Sequence, residues 1–182
     1  MTDRHGIRLA AAADAVLLQA ASLLDSLSDD QYAASHERAK GASIGQHLRH
    51  ALDHFRVLLE RGPAATGDDA EPVCYDRRER GTAIESDRAA AGRLIAELRD
   101  QLAQCEEVDL NWPVSVSVMI DAEGNEIAIE SGMLRELAFV THHAIHHLAM
   151  IRPLAEDLGV GLTDGFGRAP STCKHDRETA KA

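Results

Sequence analysis

Seven of the ten histidines in this chain fall in two short segments: His47, His50 and His54 in one, and His142, His143, His146 and His147 in the other. His143 and His147 are four positions apart. On a helix that spacing puts both imidazoles on one face about one turn apart, as two ligands of a single metal ion must be. A third ligand from the first segment would complete a three-histidine set. Neutral imidazole suits Zn, Ni, Cu or Fe, and three histidines leave at least one position for water or substrate, the pattern of a catalytic rather than a closed structural site. Cys74, Cys105 and Cys173 are odd in number and widely spaced. They fit reduced thiols, and form neither a disulfide framework nor a zinc knuckle.

The elements that must position these histidines are legible in the surrounding pattern. A chain of 182 residues has the size of one domain, long enough to bury a real core. Aromatic residues make up 3% and apolar residues 45% of it, so the core must be built mainly from Ala, Leu, Ile and Val, a mix suited to close helix packing. Lys and Arg number 19 against 30 Asp and Glu, a net charge of −11. Such a surface repels phosphate backbones and anionic headgroups. No apolar run reaches the ~20 residues of a spanning helix, and the first residues lack the basic-then-apolar order of a signal peptide. A cytoplasmic location, a small-molecule substrate, and no nucleic-acid or membrane partner are the expectations.

Apolar residues recur at three-and-four spacing from Ile7 to Leu27, the first helix. Ser28 with Gln31 forms a capping box for a short helical turn, followed by a connector to Gly41. A second box, Ser43 with Gln46, opens the second helix, which carries the first histidine segment and stops at Gly62 and Pro63. Residues 63–81 read as a long, polar loop. Thr82 with Glu85 forms a third box, opening a third helix that runs to about Cys105. Alternating β-branched residues from Val114 to Ile120, a turn over Asp121 to Asn125, and Ile127 to Ile129 predict a β-hairpin. From Ser131 as N-cap, a fourth helix carries the second histidine segment, with Pro153 as a kink or stop and Gly159 as its latest end. The fold class is therefore all-α, a four-helix bundle over residues 1–160 with a small β-hairpin between helices three and four. Residues 161–182 form a C-terminal tail.

With these elements placed, the segments from Ser43 to Asp53 (SIGQHLRHALD) and from Thr141 to Ile151 (THHAIHHLAMI) resemble the two motif segments of the DinB-like (YfiT-type) superfamily. The likeness extends over nearly all of the chain. It implies a four-helix bundle, often a homodimer, with a divalent metal held by one histidine of helix two and the HxxxH pair of helix four. Matched by position, these are His50, His143 and His147. Periodicity alone favours His47, which flanks the apolar stripe of helix two more closely. The choice of His50 rests on the family motif of a histidine, a small apolar pair and an acid, here His50 to Asp53. His54, His142 and His146 are left to contacts around the ligands or to the surface, and Asp53 to orienting a ligand or to solvent. At about 100° per residue, His50, His143 and His147 all stand away from the main apolar stripes, so a metal they share would sit in a cleft open to solvent.

Members of the superfamily include transferases that join low-molecular-weight thiols to electrophiles, a thiol-dependent maleylpyruvate isomerase and the iron-binding domain of ergothioneine-forming enzymes. The resemblance thus implies a divalent metal ion (Zn, Ni or Fe) and a metal-dependent transferase that activates a low-molecular-weight thiol or water. A metal-dependent hydrolase and a non-catalytic metal-binding dimer are the alternatives. Arg77, Arg78 and Arg80 are candidates to clamp a substrate carboxylate through their guanidinium forks, against the plainer reading of a solvated loop. Tyr75 is a candidate hydrogen-bond donor to a metal-bound group, or a packing residue.

Overall fold

The computed structural model describes residues 4–61, 71–77, 79–105 and 109–180. Among them are six α-helices: α1 (Arg4–Ser26), α2 (Asp29–Ala33), α3 (Ile44–Leu59), α4 (Arg88–Cys105), α5 (Met133–Asp157) and α6 (Pro170–Thr179). Three strands, β1 (Val73–Cys74), β2 (Pro113–Met119) and β3 (Glu126–Gly132), form one sheet in the order β1-β2-β3. The chain is mostly helical with a small sheet. Among the long helices, α1 packs against α4 and α5, and α3 packs against α5 and α4. Their shared core is aliphatic, with Leu17, Leu23, Leu48, Leu52, Leu98 and Leu148 nearly inaccessible and Phe55 and Tyr32 the large rings within it.

Two of the three capping boxes form. Ser28 Oγ accepts from Gln31 N while the Gln31 side chain accepts from Ser28 N, and the same reciprocal pair joins Ser43 and Gln46 at the start of α3. The third does not. Thr82 precedes only a 3-10 turn (Ala83–Glu85) without a side-chain cap, and α4 is opened by Asp87, whose Oδ1 accepts from Ala89 N and Ala90 N. The competing demand on Glu85 explains the difference. Its carboxylate pairs at 3.1 Å with the buried Arg49, which also binds Asp53 at 3.1 Å, and an uncompensated buried guanidinium costs more than a lost cap.

The expected hairpin is present, with β2 and β3 antiparallel and Val116 opposite Ile129. It is wider than expected, because β1 adds in parallel with Val73 opposite Val116; the segment from 63 to 81, read as loop, thus holds a strand. Residues 63–70 and Arg78 of that segment lie outside the described residues. Ser131 is not a helix cap either. It lies within β3, Gly132 ends that strand and precedes α5, and the Ser131 hydroxyl donates to Glu136 Oε1 at 2.5 Å instead. The helix α5 runs through Pro153 to Asp157. The tail is structured in part: Val160 and Phe166 are buried, Arg152 donates to the carbonyls of Thr163, Asp164 and Phe166, and α6 follows. Finally, α1 is long and apolar enough, by length and composition, to cross a membrane, which corrects the reading that no run reaches that length. Its hydropathy owes much to alanine, and Ala10, Ala13, Val16, Leu17 and Ala20 lie in the core.

Gly45, the second residue of α3, allows the closest approach in this part of the fold. A Cβ there would lie 2.1 Å from the Glu85 carbonyl oxygen and 2.8 Å from the Tyr32 ring, and the approach brings Glu85 to Arg49. Backbone on one side and a buried ring on the other leave nothing to yield. The Gly45→Ala protein is expected to lose about 3 kcal/mol of stability, measured as a lower urea midpoint at unchanged slope. A midpoint equal to that of the wild type would contradict the close approach.

Candidate metal centre

The centre lies where α3 and α5 face each other. Four imidazoles on α3 and α5 touch around one point: ring centroids are 5.0 Å apart for His50 and His143, 4.6 Å for His50 and His147, 4.6 Å for His143 and His147, and 4.7 Å for His50 and His54. His50 Nε2 and His143 Nε2 stand 3.2 Å apart. Two imidazole nitrogens bound to one tetrahedral zinc at its usual bond length are about 3.3 Å apart, so this pair has the spacing of two ligands of one ion. One nitrogen of each of His50, His54 and His143 lies within 4.8 Å of the others, close enough for the three to hold a metal ion. The Nδ1 of His54 is 2.9 Å from the His50 carbonyl, to which its N–H donates. That fixes the tautomer and leaves Nε2 as the ligand atom of His54.

Ring orientation adds a second criterion, because an imidazole lone pair lies in the plane of its ring. His54 lies nearly parallel to His143, at 22° and 4.0 Å, so these two rings stack face to face. His50, His143 and His147 instead meet at 80°, 85° and 60°, like blades around an axis. On its other side, the His147 Nδ1 is 3.4 Å from His47 Nδ1. His47 Nε2 is buried and has no hydrogen-bond partner among the described residues. Imidazole nitrogens gathered this closely are a donor set that fits a divalent cation.

Burial keeps His147 and His47 neutral. The pKa of His147 is lowered to about 3, first by burial and then by the neighbouring His143, His47, His146 and His54; burial and His146 lower that of His47 as well. A metal needs the unprotonated ring, so a site that resists protonation is prepared for one.

The wall beside the histidines is built from the loop before α4 and from α5. Tyr75 stacks flat on His54, 4.9 Å away at 4°, and both Tyr75 and His143 contact Phe139. The Tyr75 hydroxyl donates to Glu136 Oε2 at 2.9 Å, and burial with that carboxylate raises its pKa, which keeps the donor protonated. Glu136 is wholly inaccessible, and its other oxygen accepts from Ser131 and Arg135. Tyr75 is thereby committed to Glu136 and steadies His54 through its face, a different use of the hydroxyl from the one expected.

The structure brings together His50, His143 and, by ring contact, His147, and adds His54, which sequence reasoning left outside the ligand set. Of the three histidines expected to border an open cleft, His147 is buried at 8% exposed, while His50 and His143 are half-buried. A single-stripe wheel places His147 away from the core, whereas α5 packs on both α1 and α3 and so buries two faces. Asp53 is buried rather than solvated, paired with Arg49 and with Arg56 at 3.6 Å. Arg77 forks onto Glu126 at 2.9 and 3.1 Å, a pair that ties the loop to β3. Arg80 is exposed, and Arg78 lies outside the described residues. Glu136 was missed, although an acid between Met133 and Val140 in the apolar stripe of α5 was a signal for it.

A mainly helical chain with a histidine cluster between two of its long helices is the class that this geometry defines. The profile of the DinB superfamily matches residues 14–151, and the chain belongs to that superfamily. It is 35% identical over 102 residues to a protein of the fungus Rhizopus delemar named FK506-binding protein 5, an alignment covering 56% of this chain and 26% of that one. The chain thus spans about a quarter of the length of that curated relative. No solved structure matches.

A histidine whose native pKa is depressed leaves the folded state without a proton that the unfolded chain binds below about pH 6.5. Stability contributed by neutral His147 is therefore complete above that pH and is lost as the pH falls toward 3. Melting of the metal-free protein is expected to shift to lower temperature over that window, with a smaller shift in His147→Gln. A midpoint constant from pH 7 to 4 would contradict the burial of a neutral imidazole.

Proposed function

We propose that the chain is a four-helix bundle enzyme of its superfamily in which His50, His143 and His147 hold a divalent cation, and that it transfers a low-molecular-weight thiol to an electrophile. The observation that carries the reading is the steep mutual tilt of those three rings, with His50 Nε2 and His143 Nε2 at 3.2 Å. A cation bound there supplies acidification of a thiol or water, giving a nucleophile at neutral pH. Three neutral ligands leave the ion's charge undiminished, which favours that effect. The sulfur electron pair forms the new S–C bond, the leaving group departs with the electrons of the bond that breaks, and the thiol proton ends on the departing group. His50 and His143 are half-buried, which suits access of a small substrate. Phe139 and Tyr75 offer apolar surface beside them, and the ring of His54 fills the flank of His143.

Zinc-loaded protein, with glutathione or cysteine as probe thiol and 1-chloro-2,4-dinitrobenzene as electrophile, tests the reading. A conjugation rate above the spontaneous one, abolished by chelator, is expected. The His50→Ala, His143→Ala and His147→Ala proteins should each bind zinc more than about 100-fold more weakly, whereas His54→Ala should retain it. Wild-type zinc content in His147→Ala would refute the ligand set. A fully loaded protein with no rate above background would refute the transferase.

A further inference from the structure

His47 lies on α3 outside the proposed ligand set, yet it is held against the site. It stands one turn before His50 on α3 and reaches α5, where its Nδ1 meets His147 Nδ1 at 3.4 Å with ring centroids 5.7 Å apart. Two nitrogens of neutral imidazoles attract only when one carries the hydrogen and the other the lone pair. Two assignments are possible, with opposite consequences. If His47 is the donor, His147 accepts at Nδ1 and must carry its own hydrogen on Nε2, which removes that nitrogen as a ligand. If His147 is the donor, its Nε2 has the lone pair, and His47 must be the Nε2–H tautomer.

Resting on the proposal that His147 is a ligand, we infer that His47 is a positioning residue: its Nδ1 accepts the Nδ1–H of His147 and so fixes His147 as the tautomer that can bind a cation through Nε2. Histidine ligands ordinarily donate their second N–H to a carboxylate, a carbonyl or water. Here no such acceptor at His147 Nδ1 appears among the described contacts, and a second imidazole takes that part. The assignment places the hydrogen of His47 on Nε2, a buried atom with no partner among the described residues. A lone structural histidine would be free to settle the other way, whereas one coupled to a ligand is not.

Long-range proton–nitrogen spectra of the zinc-loaded wild-type protein read the tautomers directly. His147 protonated at Nδ1 and His47 protonated at Nε2 are expected; His147 protonated at Nε2, or bound to zinc through Nδ1, would overturn the inference. Zinc affinity gives the second readout. His47→Phe keeps the bulk and removes the acceptor, and should weaken zinc binding roughly 10- to 100-fold. His47→Asn puts an amide oxygen near the place of Nδ1 and should restore most of the loss, which a packing role would not. The His147→Ala protein separates the two claims. If it loses zinc while His47→Phe binds like wild type, the ligand reading stands and the inference fails; if it keeps zinc, both fail. Because the wild-type tautomers are measured without substitution, a poorly folded variant leaves that test intact.

Discussion

The structure depends on the contact between α3 and α5. Imidazoles repel one another once protonated, and gathering His47, His50, His54, His143 and His147 between two helices is tolerable only if nearly all stay neutral. Burial supplies that condition at His147, which touches three of the others, and at His47. Neutral nitrogens facing at 3.2 and 3.4 Å are then either hydrogen-bonded in pairs or ligands of one cation. The same burial that strains a metal-free protein in acid thus prepares it for a metal.

The surrounding fold holds the two helices in register from behind. Arg49, on α3 beside His50, is buried and neutralised by Asp53 and Glu85, and Gly45 lets the Glu85 backbone come within contact of α3. This arrangement costs α4 its expected cap at Thr82. On the α5 side, Glu136 gathers Ser131, Arg135 and Tyr75 and, through Tyr75, keeps His54 and its stack with His143 in place. Two buried charged groups, one behind each helix, brace the histidine cluster by hydrogen bonds rather than by apolar packing alone.

Much of this was legible in the sequence. The long helices followed from three-and-four spacing, two capping boxes appeared at Ser28 and Ser43, and the hairpin followed from β-branched alternation after Pro113. Motif residues brought His50 and His143 into one site. What was hidden depended on partners far along the chain. Glu85 reads as a capping residue until its pairing with Arg49 is known, and Ser131 as an N-cap until Glu136 takes its hydroxyl. Strand β1 has only two residues and exists by pairing with β2, so it carries no pattern of its own. The histidines looked solvent-facing because a helical wheel assumes one buried face, and α5 has two. Ring orientation, which separates His147 from His54, has no trace in spacing at all.

Anomalous diffraction from crystals grown with zinc tests the account most directly. One peak between α3 and α5, at ~2.1 Å from His50 Nε2, His143 Nε2 and His147 Nε2, is the predicted result. Crystals that bind zinc elsewhere, with these three imidazoles unliganded, would contradict it.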